Sequence, residues 1–315
     1  METHPDPADY RFDLETTLAS IVSIRANIPE DAITAPLLGT ERVGHGVVIR
    51  GDSLILTIGY LITEADTVWL IDHDGNAAPG HVLSHEHETG FGLVQLLRPL
   101  RTSPMPLGKS SDVKVGDTMV VAGSGGLSEA IRTTVVGKRE FTGYWEYVLD
   151  EALFTAPAHQ SWSGAALINE SGHLCGVASL ILQTQTASGE THSANMVVPI
   201  DLLPPILDDL CRYGRLNKPP RPWLGWFVQD TDRGLVVAGV YDQGPAHAAG
   251  LRTGDMILEV NGQPMTELAA LFRTIWALGN AGVNVPVTFL RDGQQKNVLV
   301  QSVDRYTCLK TALIH

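Results

Sequence analysis

The chain has 315 residues, 44% of them hydrophobic and 18% charged, with a formal net charge of −13 at pH 7. That length suggests about two or three domains, each able to bury a core, and the composition is that of a globular protein. The acidity argues against a nucleic-acid binder, which needs a basic face, and against docking on anionic membranes.

Met1 to Asp13 is rich in Pro and Asp. It shows no basic stretch followed by an apolar run, so it does not read as a secretory leader. No stretch approaches the ~18 apolar residues of a membrane-spanning helix, and no membrane insertion is expected. Cys175, Cys211 and Cys308 are too scattered for a disulfide framework. Together these features predict a cytoplasmic protein, or a periplasmic one if the chain is a processed form. No cofactor is expected.

From Glu15 to Ile200 short apolar segments alternate with turn signals. Gly46–Arg50 is followed by Gly51-Asp52 and then Leu54–Thr57; Thr67–Asp72 runs into His73-Asp74-Gly75-Asn76. Many short strands at this spacing predict an all-β barrel or sandwich. Leu202, Leu203, Ile206 and Leu210 recur at helical spacing, predicting a helix over 201–210 with Pro204 and Pro205 in its first turn. Cys211 to Pro222 is basic and proline-rich, a semi-rigid linker by composition. The expected domains are a tail over 1–14, a β domain over 15–210, a linker over 211–222, a second domain over 223–303 and a tail over 304–315.

Motifs in the first domain carry a family resemblance. Ile55-Leu56-Thr57-Ile58-Gly59-Tyr60-Leu61-Ile62 resembles the segment of HtrA-type (trypsin-like) serine proteases that reads Ile-Leu-Thr-Asn-Asn-His-Val-Val. Ser161-Trp162-Ser163-Gly164-Ala165-Ala166-Leu167 is similar to that family's Gly-Asn-Ser-Gly-Gly-Pro-Leu. Val43–Ile49, Pro106–Asp117, Asn169–Val177 and Met196–Ile200 resemble further family segments. The resemblance implies two six-stranded β-barrels with an active site between them.

It also assigns positions. Ser163 keeps the nucleophile, Tyr60 stands where the family has its general-base histidine, and Gly90 where it has its aspartate. The intervals of 30 residues from Tyr60 to Gly90 and 73 from Gly90 to Ser163 are close to the family's. Ser161 replaces the oxyanion-hole glycine. A serine attacks a carbonyl only if a base takes its proton, and a phenol with its usual pKa of about 10 is a poor base at pH 7. Loss of a triad typically costs about 10⁶ in rate. On this reading the chain is not an enzyme but a pseudoprotease that serves as an adaptor, scaffold or chaperone-like holder of peptides. The alternative is a serine hydrolase with residual or non-standard activity at Ser163, with His159 or another histidine such as His45 or His173 as base.

A third reading is a metal-responsive binder. His81, His85 and His87 share the parity of one strand face, although a solvated strand edge explains them as well.

Gly244 to Gly262 resembles the Ser-Pro-Ala-x-x-Ala-Gly-Leu-x-x-Gly-Asp-x-Ile-Leu-x-Val-Asn-Gly segment of an HtrA-type PDZ domain. Pro245 opens a short helix and Gly250 closes it; Asn261-Gly262 ends the strand Met256–Val260 in a tight turn. The resemblance implies a groove that takes protein or peptide C-termini, or internal strands, beside a helix. Trp223-Leu224-Gly225-Trp226 stands where the family captures a terminal carboxylate. The groove helix is predicted over Thr266–Leu278, with Leu268, Leu271, Phe272, Ile275 and Trp276 as its apolar stripe; Leu268, Phe272 and Ile275 are the expected peptide contacts. A segment of the chain itself could also fill this groove. A homo-oligomer is expected, a trimer among the possibilities, through Tyr10 and Phe12 as in HtrA-type proteins.

Overall fold

A computed structural model describes residues 4–51, 53–185 and 191–310. Asp52 of the Gly51-Asp52 turn and the outer ends of both expected tails lie outside them. Two compact units emerge. One holds the chain up to Arg139 and Asp150–Asn217; the other holds Glu140–Leu149 and Lys218–Lys310.

The first unit contains two closed six-stranded barrels. One is built from β1 (Ile21–Asn27), β2 (Glu41–Arg50), β3 (Leu54–Ile58), β4 (Thr67–Ile71), β5 (Ala77–His85) and β6 (Phe91–Leu96), in the order β1-β2-β3-β6-β5-β4. The other uses β7 (Thr118–Ala122), β8 (Ile131–Gly143), β9 (Tyr147–Ala156), β10 (Ala166–Ile168), β11 (Leu174–Gln185) and β12 (Thr191–Pro199), in the order β10-β11-β12-β9-β8-β7. β3 is buried on both faces, so its residues Leu54, Ile55, Leu56 and Ile58 read as a continuous apolar run rather than an alternation. The core of the first barrel gathers Val22, Ile24, Val48, Ile55, Ile62, Leu70 and Val94; that of the second gathers Met119, Val121, Val135, Leu153, Leu167, Cys175 and Val197. Gly46 sits where a Cβ would come within 2.6 Å of Ile55 and 2.8 Å of Ile24, so only glycine lets these side chains fill the barrel.

The helix expected over 201–210 is displaced. Ile200–Leu202 forms a 3₁₀ turn and the α-helix runs Leu207–Tyr213. Pro205 disfavours α geometry at Pro204, and neither proline has an N–H to give a helix interior. The helix ends at Gly214, whose left-handed φ of 70° lets its N–H reach Leu210 O.

The second unit is a six-stranded sheet, β13 (Trp226–Thr231), β14 (Gly234–Val240), β15 (Met256–Val260), β16 (Gln263–Pro264), β17 (Asn284–Arg291) and β18 (Gln294–Gln301), ordered β13-β14-β15-β17-β18 with β16 beside β15. β13 is therefore an edge strand. The expected helix forms over Leu268–Ala277, and Leu271, Phe272 and Ile275 drive its apolar face into the core with Leu224, Trp226 and Val260. Asp255, 1% exposed, takes both arms of a forked Arg291 guanidinium at 2.6 Å each and caps the Arg252 N–H at 2.8 Å. A buried carboxylate persists there because the guanidinium fork and the Arg252 N–H bond it.

Candidate functional site

The nucleophile turn is built by close backbone approach. Ala165 N–H donates to Trp162 O at 3.0 Å, Gly164 N–H to Ala178 O at 2.9 Å, and His45 N–H on β2 to Ser163 O at 2.8 Å. A Cβ on Gly164 (φ +82°) would lie 1.9 Å from His45 O, and one on Gly44 2.6 Å from Ser163 O. These two glycines let β2 press against the turn that carries Ser163.

Tyr60 stands in the 3₁₀ turn Gly59–Leu61 that follows β3. Arg42 fixes that turn: its Nη1 donates to Tyr60 O at 2.6 Å and Thr63 O at 3.0 Å. The Tyr60 hydroxyl donates to Ser179 O at 2.7 Å and lies 2.7 Å from Ser163 Oγ. Burial pushes the phenol up to about 12, against a smaller opposing effect of its bond to Ser163. The sequence-matched pair is thus in direct contact.

Gly90 adopts φ +85° and serves the backbone: its N–H donates to Glu86 O at 2.9 Å and its carbonyl accepts Gly59 N–H at 2.7 Å. The carboxylate of this loop belongs to Glu86, which is buried and caps Glu88 N–H at 2.9 Å, Thr89 N–H at 2.7 Å and Thr89 Oγ1 at 2.8 Å. In this turn the left-handed residue is Gly164, while Ser161 needs no such conformation. Among the described residues the backbone N–H groups of Ser161 and Ser163 have no hydrogen-bond acceptor.

Of the histidines offered as substitute bases, His45 and His159 have ring nitrogens bonded away from Ser163. His45 Nδ1 accepts Ser124 N–H at 3.0 Å, and burial brings its pKa down to about 4, leaving it neutral. His159 Nε2 lies 2.7 Å from Glu129 O. His173 caps no part of the nucleophile turn; its N–H donates to Asn169 Oδ1 at 3.0 Å. Among the described residues the side-chain partner of Ser163 Oγ is Tyr60.

The metal reading is corrected too. Among the described residues no three His, Cys, Asp or Glu side chains are grouped to hold an ion. A bulge between Val82 and Ser84 sets His81 opposite Gln95 and His85 opposite Gly92, which breaks their shared parity, and His87 falls beyond the end of β5.

In the second unit Leu224, Trp226, Phe272 and Ile275 are fully buried, Trp223 nearly so, and Leu268 packs at the rim of the core. Gly225, at φ +70°, turns the chain between Trp223 and β13. What lies against this loop escaped sequence reading. Residues 140–149, the tip between β8 and β9, fold with this unit. Glu146 Oε1 accepts Gly225 N–H at 2.9 Å and Leu224 N–H at 3.2 Å, and its Oε2 lies 3.2 Å from Leu224 N. Val228 N–H on β13 donates to Tyr144 O at 3.0 Å. No signal in the hairpin's own sequence marks this, apart from the aromatic cluster Phe141, Tyr144, Trp145 and Tyr147 at a turn tip.

Two barrels with a serine turn between them, and a separate sheet-and-helix unit, define a trypsin-like peptidase scaffold and a PDZ domain. Comparison with known families agrees: residues 44–177 match the trypsin-like peptidase domain and residues 222–301 the PDZ domain. The chain thus carries a trypsin-like peptidase domain followed by a PDZ domain, the arrangement of the HtrA/DegP-type proteins it resembles. It is 28% identical over 272 residues to a probable periplasmic serine endoprotease DegP-like of Pseudomonas fluorescens, a match covering 82% of this chain and 55% of that protein. It is 24% identical over 268 residues to the periplasmic serine endoprotease DegP of Escherichia coli K12, covering 81% and 56%. The chain thus spans about half the length of the curated relatives it matches. Among solved structures, an HtrA-type protease AlgW with decapeptide is similar at TM-score 0.53 and 19% identity, covering 94% of this chain and 97% of that one. A serine endoprotease from Yersinia pestis follows at 0.51 and 20%, covering 93% and 98%. At such identity these likenesses show the fold.

Two expectations are overturned here. The reading of the chain as no enzyme is set against relatives named serine endoproteases, and in the structure Ser163 Oγ has a hydrogen-bond partner in Tyr60. The cytoplasmic expectation is set against relatives named periplasmic; a leader unrecognised in one sequence does not decide a compartment.

Proposed function

We propose that this chain is a serine hydrolase of the endopeptidase kind, with Ser163 as nucleophile and Tyr60 in place of the base, joined to a PDZ groove that binds peptide segments. The observation that carries it is the hydrogen count at Tyr60. A phenol has one hydrogen and a carbonyl only accepts. With Tyr60 donating to Ser179 O, the Ser163 hydroxyl must donate to the Tyr60 oxygen across their 2.7 Å contact. The proton that has to leave during attack is aimed at the atom in the base position. Gly90 provides no carboxylate behind that atom, so the site is a non-standard one and slow near neutrality. The open N–H groups of Ser161 and Ser163 are the donors for the oxyanion.

Substrates on this reading are peptide segments or esters that reach Ser163. The groove of the second unit holds a peptide as an added strand, a role that also suits an adaptor or chaperone-like holder. The periplasm is the proposed compartment, and a homo-oligomer the proposed assembly. Phe12 is packed on Gly172 of its own chain and stacks edge-on with Tyr10 at 5.4 Å, so this end presents an ordered aromatic surface. Treatment with a fluorophosphonate probe tests the chemistry. Labelling of the wild type and none of Ser163→Ala is the expected result; an unlabelled wild type, or label that persists in Ser163→Ala, would sink it.

A further inference from the structure

We infer that the peptide groove of the second unit is closed by its own hairpin, with the Glu146 carboxylate standing in for the C-terminal carboxylate of a bound peptide. A peptide with a free C-terminal carboxylate is then the ligand that displaces it. The inference rests on the peptide-binding reading of this groove and is independent of Ser163.

Three observations meet at the site. First, β13 is the edge of its sheet, and an edge strand offers unpaired N–H groups to an added strand. Val228 N–H is taken by Tyr144 O at 3.0 Å, a main-chain bond of the kind an added peptide makes. Second, the Leu224–Gly225 turn presents consecutive N–H groups, the backbone nest that captures a terminal carboxylate. Glu146 fills it with both oxygens, at 2.9 to 3.2 Å. An internal residue can present a carboxylate only through its side chain, and glutamate reaches the nest while its own backbone stays in the hairpin.

Third, the docking is maintained against local costs. Glu146 takes φ +61°, a conformation that a side chain disfavours. Its carboxyl is 8% exposed as a residue, and burial pushes it up to about 7, with the Arg305 charge and the backbone N–H groups acting in the opposite direction. The flanks offset these costs. Tyr144 packs on Phe227 with ring centroids 5.9 Å apart, Val148 packs against the core, and Glu140 pairs with Arg273 at 2.6 Å.

The test uses the full chain and a dye-labelled octapeptide ending in Val-Leu, made as the free acid and as the C-terminal amide, with binding read by fluorescence anisotropy. Glu146→Gly removes the carboxylate and suits the left-handed backbone; Glu146→Asn, which also tolerates that backbone, is the second variant should the first misfold. A groove open only a tenth of the time binds about 10-fold more weakly than an open one. The free acid is expected to bind the variant ~10-fold or more tighter than the wild type, and the amide to bind each protein more weakly than the acid does. Equal affinities in wild type and variant overturn the inference while leaving the groove a peptide site. No binding to either protein overturns both readings. Hydrogen exchange supplies the second arm. The Leu224 and Gly225 amides should exchange at least ~10-fold faster in Glu146→Gly, and unchanged protection overturns the inference.

Discussion

At Tyr60 one oxygen decides between two chemistries. As a phenol it accepts the Ser163 proton only through a hydrogen bond; as a phenolate it can remove that proton. With its pKa pushed up to about 12, the phenolate fraction is roughly 10⁻⁴ at pH 8 and rises about tenfold per pH unit. Labelling of Ser163 should therefore climb about tenfold from pH 8 to pH 9 if Tyr60 is the base, and a flat profile would assign the proton to another group. The same shift bears on stability. A tyrosine raised above its ordinary value of 10 favours the folded state fully below pH 10 and less as pH rises through about 12, so the urea midpoint should fall across that window. Tyr60→Phe leaves Ser179 O and Ser163 Oγ without this partner. It should cost about 1–2 kcal/mol in urea unfolding and abolish labelling at Ser163. The family resemblance sets Tyr60 and Ser163 at matched positions. It could not show that Arg42 holds the Tyr60 carbonyl or that Ser179 takes the phenol proton, because those partners lie 18 and 119 residues away.

Turns and hairpins set the limits of these residues. The Ser163 turn depends on Gly164, where both φ +82° and the 1.9 Å approach of His45 O forbid a side chain. Gly164→Ala should lose on the order of 3 kcal/mol or more, from strain plus a displaced β2, read as a lower thermal midpoint with Ser163 labelling gone. The β8–β9 tip behaves differently. Glu146 is raised from 4.5 to about 7, so the docked hairpin is most stable below 4.5 and loses stability as pH rises through about 7. Arg305 is the charged group that opposes this shift. Peptide binding to the wild type should accordingly tighten between pH 5 and pH 8, relative to Glu146→Gly measured alongside; parallel profiles in the two proteins would contradict the linkage. Parity puts His81, His85 and His87 on one face if their segment is a regular strand; the bulge in β5 turns His81 away from His85, whose ring stays 4.9 Å from that of His87. A bulge is a property of a strand pair, invisible in one strand read alone.

For the whole molecule, composition and charge argue against nucleic acid and anionic membranes, and the dense motifs mark two barrels and a PDZ unit. The net charge of −13 adds an expectation: a lysine-rich peptide should associate faster than an acidic one of equal length, and the difference should shrink between about 0.02 and 0.2 M salt. The sequence by itself determined the domain kinds and which residues, Ser163, Tyr60 and Gly90, occupy the positions of the resembled family's triad, because these are carried by local motifs with nearly fixed spacing. Only the tertiary structure decided what those residues touch. Tyr60 meets Ser163 because Arg42 fixes one turn and Gly44 and Gly164 let β2 press on the other, the rings of His45 and His159 are bonded to other partners, and Glu146 closes a groove formed 78 residues further along the chain. Hydrogen bonds across such separations depend on where the barrels and the sheet edge bring the backbone, and no local pattern records that.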